Sequence, residues 1–409
     1  MPEAIIISTG SELMYGRVRD DNAHFLSGRL FDRGFKVRRH VAVGDDREDI
    51  GRAASESIAH ADVVLLTGGL GPTNDDLTTE TLASLYGLVI EIHEPSRRRM
   101  DEFFSSMNRS AIGGDSKMVS VPRNAAVFPN DIGLAVGYAL EVDGKILIVM
   151  PGVPREMRWM FDTHVMSYLA NRFGLIERGF LAVRVAMMRE AEVDAAVRSL
   201  PALTDDVEWG ITTRPGINTL TFLQKEGRPF DGPVLIEALH RVFGDNMLAN
   251  SSASMEDEVV ALLVEKNLTV ACAESCTGGT VAQLITDIPG SSRVFMGGVV
   301  AYGNAMKTDL LGVPGELIDA EGAVSEAVAA SMAQGARMRS GADIAVSITG
   351  IAGPGGGTDT KPVGTVCFGF ATRSGTRTFS SMIMGDRERV RTMASMQALN
   401  TIRIFCKSI

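Results

Sequence analysis

Residues 63–78 read VVLLTGGLGPTNDDLT. An unbroken run of valine and leucine of this length predicts a strand buried on both faces, the kind a parallel sheet contains. Gly68, Gly69 and Gly71 follow at once, allowing a tight turn and close approach of backbone to a ligand, and Asp75 and Asp76 stand where a helix should begin. Upstream lie the apolar stretches AIIIS (4–8) and KVRRHVAV (36–43), and downstream KILIVMPG (145–152). Between them NAHFLSGRLFDRG (22–34), IGRAASESIAH (50–60) and TTETLASLYG (78–87) place apolar residues at helical spacing. Strands alternating with amphipathic helices predict a parallel α/β sheet over residues 1–170.

The rhythm then changes. FLAVRVAM (180–187), AEVDAAVRSL (191–200), EWGITTR (208–214), INTLTFLQK (217–225) and GPVLIEALHRVFG (232–244) run strand, helix, strand, strand, helix, with NMLAN (246–250) as a candidate last strand. That order predicts a small ferredoxin-like α+β middle domain over 176–250. The small, polar stretch ANSSASMEDE (249–258) reads as a linker entering a helix. Residues 255–409 return to an α/β alternation and are expected to form a third domain. The fold class is α/β in three parts.

Composition narrows the function. With 40 Lys+Arg against 50 Asp+Glu, the net charge of -10 disfavours a direct nucleic-acid partner. No apolar run approaches a membrane span, and MPEAIIISTG lacks the basic start and cleavage site of an export signal, so no membrane partner is expected. Four cysteines in 409 residues are too few for a disulfide framework and fit a reducing compartment, so a cytoplasmic location is expected.

All six histidines precede residue 250, so a hydrolase built on residues 255–409 must find another base. Its lysines are Lys266, Lys307, Lys361 and Lys407, and of these Lys307 and Lys361 adjoin glycine-rich blocks. Four polar islands flank strands there: AESCTGG (273–279), PGSS (289–292), YGNAMK (302–307) and TGIAGPGGG (349–357). Ligands of open α/β sheets bind beyond the carboxyl ends of strands, so Ser275, Thr277, Tyr302, Lys307 and Thr349 are expected to converge. A serine hydroxyl beside a desolvated lysine amine is a workable nucleophile and base for acyl transfer. Thr277, Gly278 and Gly279, at a helix start, offer N–H groups to a phosphate or oxyanion, and Arg387 and Arg389 offer charged anchors. Taken singly, each island reads more readily as a plain turn or solvent loop than as a site.

In the front domain Asp75 and Asp76 admit two readings, as caps of the following helix or as ligands of a hard divalent ion beside a phosphate. The turns at Thr9–Glu12 and Gly44–Asp46 add acidic groups at neighbouring strand ends. Their clustering favours a phosphate-plus-metal site.

These ordered motifs, with TGSELMYGRVRDDN, VAVGDD, PGVPREM, KPVGTV and GDRE, make the chain resemble the CinA family of competence/damage-inducible proteins. The resemblance implies a molybdopterin-binding-like N-terminal domain and a C-terminal nicotinamide-nucleotide amidase domain. The implied reaction converts nicotinamide mononucleotide to nicotinate mononucleotide and ammonia without a cofactor. A second implied activity is ADP-ribose pyrophosphatase in the front domain, dependent on a divalent ion such as cobalt or magnesium. Carried over by residue, Ser292 becomes the nucleophile and Lys307 the base, with Ser275, Tyr302 and Thr349 around them and Arg389 on the substrate. Ser275 stays open as nucleophile or proton relay. In the front domain Asp76 and Asp45 become metal ligands, and Gly68, Gly69, Gly71 and Thr73 the pyrophosphate cradle. The resemblance also implies a homodimer. A non-catalytic pterin- or nucleotide-binding scaffold, or a pyrophosphatase only, is the alternative, and NDIGLA (130–135) and GGDSKM (113–118) depart from the family pattern in the front domain.

Overall fold

A computed structural model describes residues 1–110, 113–174, 180–204, 207–224, 231–249 and 254–409. The chain divides into two compact units, Met1–Arg178 and Gly179–Ile409. Among the described residues no helix is long and apolar enough to cross a membrane.

The strands of the first unit are β1 (Glu3–Thr9), β2 (Lys36–Val43), β3 (Val63–Thr67), β4 (Ile90–Ile92), β5 (Ser120–Pro122), β6 (Ala126–Phe128), β7 (Gly137–Val142) and β8 (Lys145–Met150). Six of them form one sheet in the order β2-β1-β3-β8-β7-β6, and β4 pairs with β5. β1, β2, β3 and β8 are mutually parallel, as the alternation predicted. The purely parallel sheet needs correction, because β7 runs antiparallel to β8 and β6 antiparallel to β7. The cause is local: Asp143 and Gly144, at φ 51 and 74, close a two-residue hairpin that returns the chain beside itself. Both faces are buried, with Ile5, Ile7, Val64 and Leu66 in one core and Ala4, Ile6, Val63 and Leu65 in the other.

The second unit opens with β9 (Phe180–Ala186), β10 (Val207–Arg214) and β11 (Ile217–Gln224), an antiparallel sheet in the order β10-β11-β9. Helices Glu190–Arg198 and Gly232–Phe243 complete the predicted βαββα order. Where a ferredoxin-like last strand was expected, Met247 makes a single bridge to Val185.

The remaining strands, β12 (Val270–Glu274), β13 (Phe295–Val300), β14 (Ile344–Gly350), β15 (Thr365–Thr372) and β16 (Gly375–Met382), form a sheet ordered β13-β12-β14-β15-β16. β13, β12 and β14 are parallel, and β15 and β16 complete the sheet antiparallel. Val270 and Cys272 of β12 face the core built with helices Met255–Glu265 and Arg387–Lys407. Ala271 and Ala273 face the opposite core, with helix Glu326–Ser340. Ala186 and Leu248 of the middle segment enter the first of these cores. The carboxyl ends of the three parallel strands therefore open at one sheet edge, with β12 between its two neighbours.

Candidate active site

Ser275 lies one residue beyond β12, and its N–H donates to the Ile348 carbonyl at 2.9 Å, which fixes the turn against β14. Lys307 comes from helix Asn304–Leu311, which follows β13. Its Nζ donates to Ser275 Oγ at 3.2 Å, to the Ala301 carbonyl at 2.9 Å and to the Tyr302 carbonyl at 3.4 Å. Lys307 is 1% exposed and Ser275 8%. The amine thus meets one hydroxyl and two carbonyls, without a carboxylate among its hydrogen-bond partners. Burial pulls its pKa below the ordinary lysine range. The neutral amine, once formed, has its lone pair within reach of the serine proton.

The pair borders a cleft of about 280 Å³ whose walls include Tyr302, Asn304, Thr349, Gly355, Gly356 and Arg387. Thr349 Oγ1 donates to the Ala323 carbonyl at 2.8 Å, so its hydroxyl holds the wall. Arg387 donates to the Gly353 carbonyl and to the Tyr302 hydroxyl, each at 2.8 Å, joining three loops at the rim. Cys276 is the neighbour of Ser275, but burial pushes its thiol up to about 12, so it does not compete as a thiolate near neutrality.

The expected anion seat at Thr277, Gly278 and Gly279 needs correction. The fully buried Glu274 carboxylate already accepts the N–H groups of Gly279 at 2.9 Å, Val281 at 3.1 Å and Ala282 at 2.8 Å. The chain fills its own helix start with its own anion, and these three residues do not line the cleft.

Two other carried-over residues are not brought to the cleft. Ser292 is exposed in the turn Ser291–Arg293, which precedes β13, whereas Lys307 follows it. Six residues of β13 at about 3.3 Å each put the two ends of that strand roughly 20 Å apart. Arg389 is turned to the Met384 carbonyl at 3.1 Å, and Arg387, two residues earlier, occupies the rim instead. Asn304 and Glu274 were assigned no role from the sequence. Both stand inside the quoted islands, and strand polarity is what gives each its place.

The first unit holds a larger cavity of about 810 Å³. Its lining includes Gly68, Gly69, Gly71, Asp45 and Asp76, but not Thr73. Thr73 instead donates its N–H at 2.9 Å and its hydroxyl at 2.6 Å to Asp76 Oδ2. The helix-cap reading of the aspartates fails, since Thr78–Leu85 starts from Leu77 without a side-chain cap. Gly68 and Gly69 have φ of 107 and 66, and a Cβ there would lie 2.5 Å from Thr9 Oγ1 and 2.2 Å from Thr78 Oγ1 respectively. These glycines serve the packing of the loop as well as access to it. Lys117 holds the same loop from beneath, donating to the Thr73 and Asp76 carbonyls at 2.9 and 2.7 Å.

Whether these residues suit a divalent ion depends on the donor set. Asp45 Oδ2 accepts the Ser11 N–H at 2.8 Å, and among the described residues no three His, Cys, Asp or Glu side chains form a group that could hold a metal. A magnesium-like ion needs fewer protein ligands, since one or two carboxylates, water and substrate phosphates complete its shell. Asp45 and Asp76 fit that sparse role. The cavity lining also carries Glu12, Asp20, Asp21, Asp75 and Glu156 against Arg19 as its single Lys or Arg, so an anionic ligand there needs a cation with it.

The first unit and the C-terminal sheet of the second are each an α/β arrangement with a cleft beside the ends of its strands. Residues 5–171 match the probable molybdopterin binding domain family and residues 252–406 the CinA C-terminal domain family. A CinA-like protein of Anaeromyxobacter sp. (strain Fw109-5) is 40% identical over 404 residues, covering 98% of each chain. A CinA-like protein of Geotalea uraniireducens is 39% identical over 411 residues, covering 97% of this chain and 96% of its own. The chain belongs to the CinA family. A crystal structure of the competence/damage inducible protein CihA from Agrobacterium tumefaciens is 38% identical, covers 39% of this chain and 99% of its own, and has a TM-score of 0.37.

Proposed function

We propose that the C-terminal part of the second unit is a metal-independent amidase that converts nicotinamide mononucleotide to nicotinate mononucleotide and ammonia. The observation that carries this reading is the buried contact of Lys307 Nζ with Ser275 Oγ at 3.2 Å on a cleft wall. Neutral Lys307 takes the Ser275 proton as Oγ bonds to the carboxamide carbon, and the resulting ammonium returns a proton to the departing ammonia. The nicotinoyl ester left on Ser275 is then cleaved by water, whose proton Lys307 accepts and passes back to the serine. Arg387, beside Gly355 and Gly356, suits the substrate phosphate. Incubation with nicotinamide mononucleotide is expected to release ammonia and nicotinate mononucleotide at equal rates with and without EDTA. Failure of release, or its loss with EDTA, counts against this reading.

A second activity, divalent-ion-dependent hydrolysis of ADP-ribose in the first unit, is favoured by the acidic lining of the large cavity. Asp45 and Asp76 would hold the ion, and the ion would supply charge neutralisation at the diphosphate. Hydrolysis that persists in EDTA, or in Asp76→Asn, contradicts it.

A further inference from the structure

The turn that carries Ser275 runs into two glycines at positive φ, Gly278 at 63 and Gly279 at 98, and the Gly278 N–H closes it by donating to the Ser275 carbonyl at 3.1 Å. Upstream, the Ser275 N–H ties the turn to Ile348. Downstream, the tie falls on Thr277. Its side chain does not supply it, since the hydroxyl is fully buried and has no hydrogen-bond partner among the described residues. Its carbonyl does, accepting the Thr280 hydroxyl at 2.7 Å and the Arg391 guanidinium at 2.9 Å. The first of these contacts is local, and the second comes from 114 residues away.

Arg391 stands near the start of helix Arg387–Lys407, four residues after Arg387, a spacing that puts both on one helix face. Arg387 joins Tyr302 to the Gly353 loop at the rim, whereas Arg391 reaches the nucleophile turn and is absent from the cleft lining. The same nitrogen, Nη2, also donates to the Thr280 hydroxyl at 3.4 Å, and no carboxylate pairs with the guanidinium among the described residues. Its charge is therefore spent on a backbone carbonyl, and a charge-assisted hydrogen bond of this kind is stronger than a neutral one. Gly278 lies under the same group, where a Cβ would come within 3.4 Å of Nη2.

We infer that Arg391 is a positioning residue of the amidase, an inference that rests on the amidase reading: by holding the Thr277 carbonyl it keeps Ser275 Oγ within reach of Lys307 Nζ. Arg391 touches neither of those atoms and does not line the cleft, so its removal leaves the substrate's own contacts in place. What it removes is the alignment of nucleophile and base, and a misplacement of about 1 Å costs on the order of a hundredfold in rate.

Steady-state kinetics of the full chain with nicotinamide mononucleotide tests it. Arg391→Met is expected to lower kcat roughly ten- to hundredfold, with KM and the midpoint of the pH profile unchanged. Millimolar guanidinium should restore part of kcat in this variant and leave the wild type and Lys307→Ala as they are. Arg391→Lys, which keeps a charged donor, should lose less. Wild-type kcat in Arg391→Met overturns the inference. So does a loss carried by KM, which puts the arginine on the substrate, or a shifted pH midpoint, which puts its effect on the charge of Lys307. A fall in kcat that tracks a lowered denaturation midpoint and resists guanidinium marks a merely structural role and overturns it as well. Should Arg391→Met not fold, Arg391→Lys decides: a smaller fall in kcat at constant KM supports the inference, and wild-type kcat overturns it. If the wild-type protein releases no ammonia, the amidase reading fails and takes the inference with it. Wild-type turnover that ignores Arg391 removes the inference alone.

Discussion

Lys307 is the side chain on which the back cleft depends. Burial disfavours its charged form, and its hydrogen-bond partners are neutral, so its pKa falls below the ordinary lysine value. Because the base must be deprotonated, kcat/KM for nicotinamide mononucleotide should rise with pH and level off at a midpoint below the ordinary lysine range. A profile that falls across that limb, or a midpoint at the free-lysine value, contradicts neutral Lys307 as base. Lys307→Arg should lose activity nearly completely, since a guanidinium stays protonated. The lysine was legible in the sequence by elimination, because residues 255–409 lack histidine and only two of their lysines adjoin glycine-rich turns. Ser292 illustrates what was not legible. PGSS and AESCTGG look alike as polar islands, and only the direction of β13 separates the strand's start from its end.

Glu274 acts at the scale of the element. Its carboxylate gathers three N–H groups at the start of helix Thr280–Thr286 and so shapes the turn that carries Ser275. Glu274→Ala would leave buried donors unpaired, at a cost of about 2–4 kcal/mol, and loosen the nucleophile. The expected outcome is a lower denaturation midpoint for the transition that accompanies loss of amidase activity. A fall in kcat larger than the rise in KM should accompany it. Glu274→Gln, which keeps one acceptor oxygen, should lie between. The sequence displayed Glu274 only as the end of a strand, since the helix it caps begins several residues later. Elsewhere the alternation of strands and helices was readable, because two-faced burial leaves continuous apolar runs such as VVLL. Strand direction was not, as KILIVM reads the same in a parallel or an antiparallel pair. Only Asp143–Gly144 marked the hairpin.

At the scale of the whole molecule, the second unit is held by a buried charge cluster. Arg403, fully buried in helix Arg387–Lys407, donates to Glu258 at 3.2 Å and to the Asp245 carbonyl, and Lys407 lies 2.9 Å from the same carboxylate. Ala249 N–H donates to Glu258 at 2.9 Å, which ties the middle segment to helix Met255–Glu265. Arg403→Ala should destabilise the unit by less than the roughly 3–5 kcal/mol of a wholly unpaired buried charge, because Lys407 and the Ala249 amide stay on the carboxylate. Burial alone would raise the Glu258 pKa, but the Ala249 amide and the two cations outweigh it and hold the carboxyl below its usual value. Its stabilisation is therefore complete above the ordinary glutamate range and lost as pH falls through the lowered value. Arg403→Ala should flatten that acid limb, and an unaltered limb contradicts the assignment. Sequence periodicity marked these helices but not the charges inside them, because the partners are 145 residues apart.

The account stands on which serine meets the lysine, and the most direct test is ammonia release from nicotinamide mononucleotide by Ser275→Ala and Ser292→Ala side by side, each checked for intact folding. We expect Ser275→Ala to be inactive and Ser292→Ala to turn over at close to the wild-type rate. Retained activity in Ser275→Ala, or its loss in a folded Ser292→Ala, would contradict the Ser275–Lys307 mechanism.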